Sequence, residues 1–235
     1  MRKAILVLTL TAMSTLLVSC GGAGARTSSA ALQDWQTEFN IPQRALTHTG
    51  ESRYFVLKPG YQLVLEDSRE RVTVTVLDET KEINGITARV VEERSEERGE
   101  LIELARNFFA LDAATGDVFY LGEDVDIYND DGSVSHEGTW LAYVNGSQPG
   151  LYLPGAPQVG MRYYQELARG IAEDRAEVIS TSDRVTTPAG VFENSLRTRE
   201  SSPIDPGVFG EKVYAPGIGL VEDGGLKLVR YGYVR

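Results

Sequence analysis

Arg71-Val72-Thr73-Val74-Thr75-Val76-Leu77 is the stretch on which the fold turns. Side chains of an extended chain alternate between two faces, so Val72, Val74 and Val76 share one face and Thr73 and Thr75 the other. All five are β-branched and fit a pleated, half-buried surface better than a helix. Short runs of the same kind recur on both sides: 54–57, 62–66, 87–93, 118–121, 125–128, 163–167, 176–180, 196–200, 212–214 and 226–229. Turn chemistry separates them. Lys58-Pro59-Gly60, Asn84-Gly85, Asp130-Asp131-Gly132, Pro188-Ala189-Gly190 and Pro216-Gly217 supply residues that tolerate positive φ or pre-set a bend. Many short strands at this spacing predict an all-β, antiparallel domain, either a β-sandwich or a curled, partly open β-barrel.

Two segments admit a helix. Leu101, Leu104, Ala105 and Phe108 fit one helical face, yet 100–111 runs straight into the turn Asp112–Gly116 and a matching apolar run at 118–121. A hairpin explains both halves, so 100–111 is read as a strand. Leu32, Trp35 and Phe39 lie at three- and four-residue spacing and predict a short N-terminal helix ending before Pro42.

The N-terminus carries an address. Arg2 and Lys3 precede an uncharged, mostly apolar run from Ala4 to Val18. That run is shorter than the roughly 20 residues of a membrane-spanning helix and matches a cleaved export signal. Leu17-Val18-Ser19-Cys20 resembles the lipobox of bacterial lipoproteins. The resemblance implies removal of residues 1–19, acylation of Cys20 and tethering to a membrane; Gly21, where retained relatives often carry Asp, points to the outer membrane. Residues 20–50 are then a lipid-bearing linker, opening with Gly21-Gly-Ala-Gly-Ala-Arg-Thr-Ser-Ser-Ala-Ala31, and 51–235 a single β-rich domain. Cys20 is the sole cysteine, so its acylation excludes disulfides, thiol nucleophiles and cysteine metal sites.

Further likenesses run along the domain. Tyr54-Phe-Val-Leu-Lys-Pro-Gly-Tyr-Gln-Leu-Val-Leu65, Tyr120-Leu-Gly-Glu-Asp-Val-Asp-Ile-Tyr128, His136-Glu-Gly-Thr-Trp140, Tyr163-Tyr-Gln-Glu166 and Tyr214-Ala-Pro-Gly-Ile-Gly-Leu-Val221 resemble motifs of a group of uncharacterised exported bacterial proteins. That resemblance implies an exported β-rich domain and brings no reaction or catalytic residue.

The net charge is −11. Such a surface repels nucleic acid and anionic membrane, so a nucleic-acid partner is not expected. The densest acidic run is Glu123, Asp124, Asp126, Asp130 and Asp131. Asp124 and Asp126 share a strand face and are the candidate metal residues, for calcium, although the spacing is not that of an EF-hand. A solvated hairpin is the simpler account. His48 and His136 are the only histidines and lie far apart in sequence, so a zinc site is not expected. Glu166, Glu173 and Asp174 near Tyr163-Tyr164 are the minimum kit of a glycosidase, and equally an ordinary strand and turn. Gly150-Leu-Tyr-Leu-Pro-Gly-Ala-Pro157 looks unlike a regular strand and is expected to cover one end of the core or line an apolar mouth.

These observations favour a non-enzymatic, lipid-anchored envelope module that binds a ligand, lipid or envelope component and needs no cofactor. The alternative is a metal- or acid-dependent hydrolase of an envelope polymer. A buried acid pair with one raised pKa would favour the enzyme, and a purely apolar groove the binder.

Overall fold

The computed structural model describes residues 34–234. The leader, Cys20 and the stretch to Gln33 lie outside them. Thirteen strands form the main sheet: β1 (Tyr61–Glu66), β2 (Glu70–Ile83), β3 (Ile86–Glu97), β4 (Glu100–Asp112), β5 (Val118–Tyr128), β6 (Gln148–Leu153), β7 (Arg162–Tyr164), β8 (Glu166–Leu167), β9 (Arg175–Thr187), β10 (Gly190–Ser201), β11 (Phe209–Ala215), β12 (Gly219–Asp223) and β13 (Leu226–Tyr233). Their spatial order is β7-β9-β10-β11-β12-β13-β1-β2-β3-β4-β5-β6-β8. Every neighbouring pair is antiparallel. The sheet curls into a nearly closed barrel, which is the curled-barrel form of the expected all-β fold.

The alternation in β2 now has its physical meaning. Val74 and Val76 line the barrel interior, while Thr75 faces out and its hydroxyl accepts from Gln62 Nε2 at 3.0 Å. Asn84 and Gly85 close the β2–β3 hairpin with φ of 49° and 82°, and Ile83 pairs with Ile86 across them. Two positive φ values in a two-residue turn give the twist that flanking strands need. Residues 100–111 are a strand, as the hairpin argument required.

The unsealed seam lies between the two ends of this path. β7 pairs with β9 on one edge and β8 with β6 on the other, and the single residue Gln165 joins β7 to β8. The predicted run 163–167 is therefore two strands on opposite sides of a gap. Gln165 holds the gap together: its buried side-chain amide donates to the Tyr152 carbonyl and to Glu200 Oε1, both at 3.2 Å. A Cβ on Gly150 would sit 2.0 Å from the Gln165 carbonyl oxygen, so this crossing requires glycine.

Three expectations are corrected. Residues 34–39 form no helix; Gln36 makes a parallel bridge to Tyr163 on the free side of β7. Trp35 and Phe39 find different partners, Tyr164 and Phe119, which an extended chain reaches and a helix does not. The part of the 20–50 stretch that is described packs on the barrel. Phe39 is buried, Arg44 bridges Asp112 and Asp117 at 2.9 and 2.8 Å, and Leu46 pairs with Asp112. The start of 150–157 is strand β6, with Leu151 and Leu153 buried outside and Tyr152 turned inward.

The barrel's ends differ. Gly50–Ser52 and Phe55–Leu57 form a small hairpin that plugs one end, with Tyr54 and Leu57 buried. Two hydrogen bonds pin the plug region to the β11–β12 turn: Gly217 N–H to the Arg53 carbonyl (2.8 Å) and Tyr61 hydroxyl to the Ile218 carbonyl (2.9 Å). The other end carries the loops 168–174 and 202–208, which leave a mouth.

Candidate functional site

The barrel encloses a cavity of about 340 Å³. Its chemistry is polarised along the axis. Toward the plug, Phe55, Phe109, Tyr120, Tyr152 and Tyr214 form its aromatic wall. Phe109 stacks on Tyr120 at 4.7 Å between ring centres and packs against Tyr152 at 4.8 Å. Such contacts fix the rings and leave their faces as a rigid apolar surface.

Toward the mouth the wall is acidic. Glu93 of β3, Glu103 of β4, Glu123 of β5, Glu166 of β8, Glu200 of β10 and Asp223 of β12 all line the cavity. Asp174, Glu173 and Asp205 join them at the mouth, which among the described residues makes nine carboxylates against one cation, Lys212 of β11. The Lys212 ammonium lies 3.1 Å from Glu200 and 3.8 Å from Asp223. Ile171, Ile204 and Val208 ring the opening and are exposed.

Electrostatics follow from this crowding. Burial pushes Glu123 up to about 8; Glu103 and Glu93 add to the rise, and a hydrogen bond with Tyr120 opposes it. Burial also lifts Glu166 well above the usual carboxylate range, with Asp174 and Glu123 adding to it. Glu93 and Glu103 are raised for the same first reason. Asp223 rises to about 6 through burial, held back by Lys212. For Lys212, burial acts downward, but Asp223 and Glu200 outweigh it and hold the ammonium charged. Asp174 is raised too, yet it is exposed at the mouth, so water access makes the deeper Glu123 and Glu166 the stronger cases.

One polar group in the wall lacks a close partner. The Tyr214 hydroxyl makes no hydrogen bond within 3.5 Å among the described residues, although the residue is only 1% exposed; outside the cavity lining, the Tyr163 hydroxyl and Thr198 Oγ1 share that condition. An unsatisfied buried hydroxyl costs about 1–3 kcal/mol, so such groups mark places where water or a ligand completes the bonding.

The residues singled out from sequence fare differently. Cys20 lies outside the described residues. Asp124 and Asp126 share the outer face of β5, where Asp124 meets Lys81 Nζ and Asp126 meets His136 Nδ1, each at 2.9 Å. Among the described residues no group of three or more His, Cys, Asp or Glu side chains is placed to hold a metal ion. Glu166 and Asp174 do come together, with the Glu166 N–H donating to the Asp174 carbonyl at 3.1 Å. Glu173 caps its own loop by accepting from Gly170 N–H at 3.1 Å. Trp140 is buried against Tyr120.

Sequence reasoning missed Glu93, Glu103, Glu200, Lys212 and Asp223. A signal existed in all five. Glu93 follows Val91, Glu103 precedes Ala105, Glu200 follows Leu196 and Thr198, Lys212 precedes Tyr214 and Asp223 follows Val221, each at the parity of buried neighbours. A charge on the inward parity of a strand is the mark to look for.

No protein-family model matches the chain, and no curated protein matches it. Among solved structures it is similar to a putative lipoprotein from Parabacteroides distasonis, with 12% identity, a TM-score of 0.39, and coverage of 78% of this chain and 100% of that one. A likeness that remote carries no argument about function.

Proposed function

We propose that this protein is a lipid-anchored cell-envelope binding module that holds a small molecule inside its barrel. The anchor rests on the leader and on Cys20, which would tether the domain on the periplasmic side of the outer membrane. Binding rests on one observation above the others: a deep cavity with a rigid aromatic wall, an acidic band toward its mouth and a buried hydroxyl on Tyr214. Small-molecule sites are concave, mostly apolar and built in this way. Native mass spectrometry of protein purified from its own membranes tests it. A small molecule released from the folded protein is the expected result. No retained molecule, together with no saturable binding of small aromatic probes, would overturn it. Metabolic labelling with a fatty-acid analogue tests the anchor. Label should be absent from Cys20→Ser, and label persisting there would remove the proposed attachment site.

A second reading, an acid–base hydrolase, draws on Glu123. A carboxyl held protonated at neutral pH is the equipment of a general acid, while the second acid, Glu166, is itself raised and is no ready base. Glu123 also meets the condition that would favour an enzyme. Against a polymer substrate stands the plugged end: a chain needs a groove open along its length, and this cavity is reached from the mouth. The acids also number nine where catalysis needs two. Turnover of short glycans or esters that is lost in Glu123→Gln would establish the enzyme; no turnover across such a panel favours the binder.

A further inference from the structure

We infer that the molecule this cavity takes is an amphiphilic amine, seated with its apolar portion on the aromatic wall and its protonated nitrogen among the carboxylates nearer the mouth. The inference rests on the binding-module reading and names the ligand's chemistry. Three observations converge on it.

First, the ionisable groups inside are one-sided. Lys212 is engaged by Glu200 and Asp223. Among the described residues no ion-pair partner within 4.0 Å stands opposite Glu93, Glu103, Glu123, Glu166 or Asp174. A solvated surface holds unpaired acids at little expense, but a cavity wall does not. An ammonium placed among them stabilises the ionised form of a carboxyl that burial otherwise keeps protonated, and the attraction is strong where the dielectric is low. The same wall repels an anionic amphiphile.

Second, the polarity is ordered along the axis. Phe109, Tyr120 and Tyr152 lie toward the plug, and Glu166, Glu200 and Asp174 lie toward the mouth. A molecule with one apolar end and one cationic end matches that order in a single orientation. A purely apolar ligand leaves the acids unpaired, and a bare metal ion leaves the aromatic wall unused.

Third, the Tyr214 hydroxyl sits unpartnered on the wall, and its ring meets Tyr152 edge-on at 6.5 Å between centres. It adds a polar contact partway along the wall, two residues from Lys212 on the same face of β11. The exposed Ile171, Ile204 and Val208 give the mouth an apolar rim past which an apolar portion can slide.

Three probes matched in length and ring test the charge: 4-phenylbutylamine, 4-phenylbutan-1-ol and 4-phenylbutanoate. Each is titrated calorimetrically at pH 7.5 into the full-length, detergent-solubilised protein. The amine should bind at least tenfold tighter than the alcohol, and the carboxylate should not bind. In the double variant Glu123→Gln and Glu166→Gln the amine's advantage should shrink below threefold. The amides preserve shape and cannot ionise against the ammonium, so the variant is expected to fold; an unchanged far-ultraviolet spectrum verifies that. An alcohol that binds as tightly as the amine, or an amine advantage that survives the double variant, overturns the inference while leaving the binding module intact. If none of the three binds although native mass spectrometry shows a retained molecule, the inference again fails alone. If none binds and nothing is retained, both readings fail.

Discussion

Glu123 and Asp124 are neighbours on β5, and they live under opposite conditions. Asp124 faces solvent beside Lys81, in water's high dielectric. Glu123 faces the cavity, where burial holds its carboxyl protonated through neutral pH. The pair teaches that strand parity, rather than composition, decides what an acid does in this barrel. The acidic run at 123–131 looks like one feature along the chain and is two in space.

The comparison can be broken most sharply at Lys212. Lys212→Met removes the one cation that the described residues place in the cavity and leaves Glu200 and Asp223 without their ion-pair partner. Deleting one partner of a buried ion pair typically destabilises by about 3–5 kcal/mol, and a loss near the low end is expected here because water reaches the cavity. Urea unfolding at pH 7.5 measures it, and the loss should shrink at pH 5 as Asp223 takes up a proton. A loss under about 0.5 kcal/mol, within the range of surface changes, would mean the inner acids behave as exposed ones.

The next effect is a pH dependence. Glu123 titrates near 8 in the folded protein against 4.5 as its ordinary value, and Asp223 near 6 against 3.8. Groups raised in this way favour the fold when protonated. Their contribution is complete below the ordinary carboxylate values and is lost as pH climbs through 6 and then 8, at about 1.4 kcal/mol per pKa unit. The melting temperature should therefore rise as pH falls from 8.5 to about 5. It should drop again in stronger acid, when Asp67 and Asp183 lose their charge: backbone N–H groups of Arg69 and Glu70 hold Asp67 low, and Asp183 stays low despite some burial because Ser180 and Arg197 hold it. In the double variant Glu123→Gln and Glu166→Gln the slope between pH 5 and 8.5 should flatten and the melting temperature at pH 8 should rise. An unchanged slope would assign the pH dependence to other groups.

Tyr214→Phe sharpens the contrast on a smaller scale. It deletes a hydroxyl with no partner within 3.5 Å, though Tyr152 lies near it, so stability in urea should change by less than about 1 kcal/mol. A loss of more than 1 kcal/mol would show that water in the cavity already satisfies the group.

The smallest effect belongs to the outer face. Asp124→Asn and Asp126→Asn should each change stability by less than about 0.5 kcal/mol, as exposed ion pairs contribute little. Millimolar calcium should shift the melting temperature no more than sodium chloride of equal ionic strength. A calcium-specific shift that the double substitution erases would instead establish the outer face of β5 as a metal site.

Much of the barrel was legible in the chain. Val72 to Val76 declared a strand with two unlike faces, and Asn84-Gly85 declared its hairpin, because both signals are local: a side chain's parity and a turn's φ values depend only on near neighbours. The same locality misled at Leu32 to Phe39, where helical spacing is present but Tyr164 and Phe119 draw Trp35 and Phe39 apart. It also hid β6, whose Gly150 and Pro149 weaken the local signal while the Gln165 crossing demands glycine.

The sequence by itself determined an antiparallel all-β body, most of its hairpins, the strong negative charge and a lipobox-like leader. Each is a property of residues close together or of their sum. Only the tertiary structure decided that the sheet curls into a barrel with a seam bridged at Gln165, and that Glu93, Glu103, Glu123, Glu166, Glu200, Lys212 and Asp223 meet inside it. Those residues sit on seven different strands, β3, β4, β5, β8, β10, β11 and β12. Closure alone makes them neighbours, and burial alone gives their charges consequence, so no window of sequence contains the cavity.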